Sequence, residues 1–225
     1  MNQVPVLFEN EEIYVINKPA GVPVQGGMGI SHPLDEEFAK QVGQKIHLVH
    51  RLDKDTAGLM IIAKSPEAAS KWTKLIGSKQ VQKTYTAFCF GTLPKRKGVI
   101  NETVIQHGEK KTAVTDYEIL EETEIVLGKN TDENGNEISG QKIKLSRIRL
   151  NLQTGRMHQI RIHLGKNNCP IIGDDLHGNF RLNKLAKKEL KIKTLQLYSS
   201  RLALPVNGKN LVFEIDCSLP LPDIG

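Results

Sequence analysis

The segment His50-Arg51-Leu52-Asp53-Lys54-Asp55-Thr56-Ala57-Gly58 runs directly into Leu59-Met60-Ile61-Ile62-Ala63. A charged, turn-forming cluster stops and a compact apolar run begins, which is the pattern of a buried strand entered from a loop. Asp53 would then stand at the mouth of that strand. A carboxylate fixed in such a place can act as a nucleophile or as a base.

The residues around this point read as mixed secondary structure. Ile13 to Ile16 is a short strand, and Asn17-Lys18-Pro19-Ala20-Gly21 is a turn, because Pro fixes φ and Gly permits positive φ. Gly26-Gly27-Met28-Gly29 reads as a loop, and Glu36 to Gln41 as a short helix. Ser65 caps a helix with Pro66 in its first turn. Ala68, Ala69, Trp72, Leu75 and Ile76 recur at helical spacing, so Trp72 is expected in the core. Lys83 to Gly91 alternates as a strand. Further strands are expected within Gly98 to Thr115, at Thr115 to Leu127 and at Lys142 to Gln153, with a hairpin tip at Asn134-Gly135. His158 to Lys166 fits strand and helix alike. Arg181 to Lys193 is a basic amphipathic helix with Leu182, Leu185, Ala186 and Leu190 on one face, and closing strands follow at Leu195 to Leu204 and Asn210 to Asp216. Strands and helices without regular βαβ alternation argue for an α+β fold with a largely antiparallel sheet.

Composition narrows the function. A chain of 225 residues with 39% hydrophobic and 25% charged residues buries a real core as one domain or two small lobes. Its net charge of +6 favours a polyanion, and RNA is the plausible one. Aromatic residues make up only 5%, too few for a broad stacking platform. Cys89, Cys169 and Cys217 are far apart and odd in number, so neither a zinc clip nor a disulfide framework is indicated. There is no secretion signal at the start and no apolar run of membrane-spanning length, which points to the cytoplasm. No phosphate loop or dinucleotide fingerprint is present, so no cofactor is expected. His158 and His163 do not have the spacing of a helical zinc pair, and no metal is expected.

Four segments in order resemble the signatures of the RNA pseudouridine synthases of the RluA family. They are Asn17 to Gly21, His50 to Lys64, Lys83-Thr84-Tyr85, and Thr154-Gly155-Arg156-Met157-His158-Gln159-Ile160-Arg161-Ile162-His163-Leu164. The last continues through Pro170-Ile171-Ile172-Gly173-Asp174. The resemblance implies a single catalytic domain over residues 1–225. It would be an α+β core with a mixed, mostly antiparallel sheet, flanking helices and two lobes around one central cleft. No N-terminal S4-type domain is expected, and His158 to Lys166 becomes a helix. The activity implied is isomerisation of uridine to pseudouridine in ribosomal or transfer RNA, by a cytoplasmic monomer.

The resemblance also implies residue roles. Asp53 is the catalytic carboxylate, Arg161 the guanidinium that pairs with it, and Tyr85 the ring against the uracil, its oxygen placed to help remove the C5 proton. Arg51 enters the space left by the extruded nucleotide, or is simply a surface residue. Ile62 and Ile160 wall the pocket. Lys18 and Arg156 touch phosphate or make structural pairs. Three departures stand out: Ala57 where Ser is usual, Met157 where Thr is common, and Tyr198-Ser199 in place of a frequent His-Ala.

Overall fold

The structure is a computed structural model that describes residues 3–27, 29, 31–106, 108–128, 130–131, 137–138 and 140–219. The chain forms two compact units. One comprises Met1–Tyr85 and Tyr198–Cys217, the other Thr86–Leu197 and Ser218–Gly225.

The first unit opens with an antiparallel pair, β1 (Val6–Glu9) and β2 (Ile13–Lys18). The Asn10 carboxamide closes their turn by accepting from the Glu12 and Ile13 N–H groups at 2.9 and 2.8 Å. β2 runs on through Asn17 and Lys18, where the sequence suggested a turn. Pairing with the next buried strand holds these two residues extended, and the turn begins at Pro19. α1 (Leu34–Val42) buries Leu34 and Phe38 and stops at Gly43 in the left-handed region. β3 (His47–Leu48) precedes β4 (Ala57–Ala63), every residue of which is buried.

β4 is buried because both edges and both faces are covered. β2 pairs with it antiparallel along its whole length, and β3 pairs with its far end. Leu59, Ile61 and Ala63 project to one face with Ile13, Val15 and Trp72. Met60 and Ile62 project to the other, beside Tyr14 and Ile16, where Phe38 packs edge-on to Tyr14. α2 (Pro66–Gly77) begins as expected, with the Ser65 hydroxyl accepting from the Ala68 N–H at 3.1 Å. Its Trp72 is 1% exposed and donates Nε1–H to Glu12 at 3.0 Å, so it is a core residue with a satisfied polar edge. β5 (Gln82–Phe90) carries the chain from the first unit into the second after Tyr85.

The second unit is built on long antiparallel strands: β6 (Lys97–Gln106), β7 (Glu109–Leu127) and β10 (Gln141–Leu152), with the short pair β8 (Asn130–Thr131) and β9 (Glu137–Ile138) between the last two. The expected tip at Asn134-Gly135 lies outside the described residues, as does Met28 of the glycine-rich loop. α3 (Gln159–Lys166) confirms the helix over the ambiguous segment. The basic helix is shorter than its periodicity suggested. α4 (Phe180–Leu185) passes into a single π turn, Ala186–Leu190, and Lys191 then adopts positive φ. The wider turn still buries Ala186 and Leu190, but it ends the helix before Lys193.

β11 (Leu197–Val206) and β12 (Lys209–Glu214) return the chain to the first unit and form an antiparallel hairpin. β11 joins β4 in parallel through Tyr198 and Ser199, opposite Ala57 and Gly58. The fold is thus the expected α+β class with mostly antiparallel pairing.

Candidate active site

Asp53 lies on a loop that is tied at both ends. The His50 imidazole accepts the Ile61 N–H through Nε2 at 3.1 Å, between the stretches of β4 that β3 and β11 cover. Burial first, and the charge of Lys83 second, hold His50 well below the usual histidine range, so it is the neutral acceptor that this bond requires. At the other end the Thr56 N–H donates to the Asp53 carbonyl at 3.2 Å and closes a turn. Between these ties Arg51 is exposed, Leu52 buried and Asp53 half-buried. Gly58 completes the entry into β4. Its φ is +113°, and a Cβ there would stand 2.4 Å from the Ser199 carbonyl oxygen, so the strands approach this closely only with glycine.

The structure favours one of the two roles the sequence leaves open for Lys18. It is a candidate for phosphate contact or for structural pairing, and its side chain is 0% exposed. Its ammonium donates to the carbonyls of Pro19, Val22 and Lys54 at 2.9, 2.8 and 2.9 Å. An ammonium has three N–H donors, and all three are used. Lys18 therefore clamps the backbone immediately after Asp53 to the turn after β2, and puts a positive charge under the loop. Burial pulls its pKa down to about 8, against the opposing charges of Asp55 and Asp53.

Tyr85 stands on β5 within electrostatic reach of Asp53. Burial, and then the charge of Asp53, push its phenol well above the ordinary tyrosine value. The ring can offer a stacking face and an O–H donor, whereas the role of proton acceptor from C5 is opposed by both causes. Lys83, two residues earlier, is drawn down to about 8 by burial.

These groups set a pH dependence with a definite sign. Lys18 and Lys83 titrate near pH 8 when folded and near 10.5 when unfolded, so the unfolded chain holds more protons between those values. Stability then rises with pH, by at most about 1.4 kcal/mol per pH unit for each group. Above pH 10 the raised Tyr85 opposes this, since unfolded tyrosine ionises first. His50 acts at the acid end, where the unfolded chain takes up a proton below about pH 6.5 that the folded chain resists. The urea midpoint is expected to rise from pH 5.5 to 7 and again from pH 8 to 9.5. A midpoint that falls over the second interval would contradict the burial of the two lysines.

The second unit positions Arg161. The guanidinium is 5% exposed and makes two parallel bonds to Asp174, from Nε at 2.9 Å and Nη2 at 2.7 Å. The same carboxylate accepts the Leu176 and His177 N–H groups, and its backbone carbonyl accepts from Asn183 at 2.9 Å. Burial pushes Asp174 up, but the hydrogen bonds and charge of Arg161 and the backbone donors outweigh it and hold the carboxyl below the usual aspartate range. Gln159 fixes the start of α3. It takes bonds from Thr154 Oγ1 and the Arg156 N–H and donates to Thr115 Oγ1 and the Val114 carbonyl. Ile160 is buried beside it. Arg156 is exposed, with Nε on the Thr112 carbonyl at 3.2 Å.

Residues 12–166 match the family described as RNA pseudouridylate synthase. The chain belongs to that family. Among curated relatives of this pseudouridylate synthase family, ribosomal large subunit pseudouridine synthase D of Blochmanniella floridana is 32% identical over 221 residues, covering 88% of this chain and 62% of the relative. Ribosomal large subunit pseudouridine synthase C of Rickettsia bellii (strain RML369-C) is 34% identical over 196 residues, covering 81% and 59%. The chain spans about three-fifths of the length of these relatives. Among solved structures, human RNA pseudouridylate synthase domain containing 4 superposes with a TM-score of 0.72 at 25% identity, covering 97% of this chain and 88% of that one.

Within this pseudouridylate synthase family member, the first unit brings Asp53, Lys18 and Tyr85 together, while Arg161 and Ile160 belong to the second. Ile62 is fully buried in β4, where it pairs with Tyr14 and Leu48, the setting of a core residue. The gripping residues Asp174 and Gln159 were quoted in the sequence motifs without a role. Asp174 lies thirteen residues after the arginine it grips and Gln159 three after Arg156, whose N–H it accepts, so only the chain fold brings out the first pairing. Among the described residues no helix is long and apolar enough to cross a membrane.

Proposed function

We propose that this chain isomerises uridine to pseudouridine in ribosomal RNA, with Asp53 as the catalytic carboxylate. The observation that carries this reading is the tethered loop that holds Asp53 within electrostatic reach of both the buried ammonium of Lys18 and the phenol of Tyr85. The ribosomal substrate rests on the names of the curated relatives.

The reaction breaks N1–C1′, turns the detached uracil and joins C5 to C1′. One C5 proton leaves and N1 gains one, with no net redox change or hydrolysis. Asp53 starts it by attacking C1′ or by taking the 2′ proton, and is returned unchanged. Lys18 places positive charge near the carboxylate, and the reading adds Arg161, which Asp174 holds rigid. Tyr85 stacks on the uracil. The target must leave its base stack to reach the carboxylate, and exposed Arg51 fills the space it vacates. Ile160 excludes water, and Arg156 meets phosphate. In this reading the chain works as one catalytic domain, as a cytoplasmic monomer.

Ribosomal RNA carrying tritium at uridine C5 tests the proposal. The protein is expected to release tritium to solvent without free uracil. Free uracil would indicate a glycosidase, and RNA binding without release would indicate a binding module; either result would replace the isomerase reading.

A further inference from the structure

Lys83 has no part in the chemistry so far. It precedes Tyr85 by two residues in β5, so the two side chains leave the same face of the strand. Its side chain is half-buried, and His50 of the Asp53 loop feels its charge. Among the described residues its ammonium meets no hydrogen-bond acceptor and no carboxylate. The contrast with Lys18 is direct. That lysine is buried in the same unit and gives all three N–H groups to carbonyls. An ammonium partly withdrawn from water without a protein acceptor is costly, and it is more readily kept when a ligand completes it.

Resting on the isomerase reading, we propose that Lys83 is a further catalytic group: its ammonium donates to a carbonyl oxygen of the target uracil and stabilises the anion formed as N1–C1′ breaks. The bonding pair goes to N1 and spreads onto O2 and O4. Those oxygens are the strongest acceptors on a base lying against Tyr85. Lys83 keeps its proton throughout. When C5 bonds to C1′ and its proton leaves, the negative charge disappears and the interaction weakens. A donor that binds the departing anion more tightly than the intact base lowers the barrier.

The test compares wild type, Lys83→Met and Lys83→Arg in single turnovers with saturating RNA that carries uridine or 5-fluorouridine at the target. Uridine conversion is read by tritium release, and loss of 5-fluorouridine by chromatography after nuclease digestion. Fluorine stabilises the departing anion by itself, so the lysine matters less there. Lys83→Met is expected to lose about 100-fold on uridine and about tenfold or less on 5-fluorouridine, with RNA affinity kept within about threefold. Lys83→Arg keeps the charge and is expected to retain at least about a tenth of the rate. Lys83→Met should also melt at or above the wild-type temperature, because an unpaired buried charge is gone. Wild-type rates in Lys83→Met, equal losses on both substrates, or a lower melting temperature would each overturn the proposal while leaving the isomerase reading intact. A wild-type protein that releases no tritium overturns both.

Discussion

Asp53→Asn is expected to lower the single-turnover rate by at least about 10⁴-fold, equivalent to about 5.5 kcal/mol of barrier, while RNA affinity changes only a few-fold. The amide has nearly the shape of the carboxylate but can neither attack C1′ nor accept the 2′ proton. The loop itself should survive. Three of its ties, the His50 bond to Ile61, the Thr56 bond to the Asp53 carbonyl and the Lys18 bond to the Lys54 carbonyl, do not use the Asp53 carboxylate. One electrostatic consequence is specific to this geometry. The charge of Asp53 helps keep the buried Lys18 protonated and raises the Tyr85 phenol. Removing it should draw Lys18 further below about 8 and let Tyr85 fall towards an ordinary tyrosine value. Ultraviolet titration of the phenol would show the second shift. Tritium release within tenfold of wild type would end the assignment of Asp53.

The strands and helices of the first unit were legible in the sequence because their signals are local. Ser65-Pro66 marks a helix start, and the run from Leu59 to Ala63 has no plausible place but the interior. The loop that carries Asp53 was legible for the same reason, since His50 to Gly58 are consecutive residues. The role of Lys18 was not. Its partners are backbone carbonyls, which every residue type carries, so no sequence pattern distinguishes a lysine that clamps from one that binds phosphate. Burial and pocket lining select the same residue types, so the sequence leaves Ile62 between the two, and strand register adds its place beside Tyr14 and Leu48. The helix after Asn179 was overextended because apolar periodicity does not reveal where a π turn widens the spiral.

Two of the three departures from the family pattern meet in the structure. Ala57 and Tyr198 are partners in the parallel pairing of β4 with β11, and Ser199 is the partner of Gly58, next to the loop that carries Asp53.

Arg161→Lys is expected to lose about 10³-fold in single-turnover rate despite keeping its charge. Lysine ends in a tetrahedral ammonium and cannot reproduce the two parallel bonds that Nε and Nη2 make to Asp174. The guanidinium plane is set by that grip, and so is the direction in which its remaining donors point. Asp174→Ala approaches the same device from the other side. It leaves a buried guanidinium without its carboxylate and removes the acceptor for the Leu176 and His177 N–H groups, at a cost of about 3–5 kcal/mol. The pH dependence separates this from a packing defect. The Asp174 carboxyl is held below the usual value when folded, so its contribution is fully present above the unfolded pKa and is lost as pH falls through the folded one. The gap in urea midpoint between Asp174→Ala and wild type should hold from pH 7 down to about pH 4 and narrow below it. A gap that is the same at about pH 2 as at pH 7 would mean that the alanine variant suffers from a lost volume rather than a lost charge, and that Arg161 is held by something other than this pair.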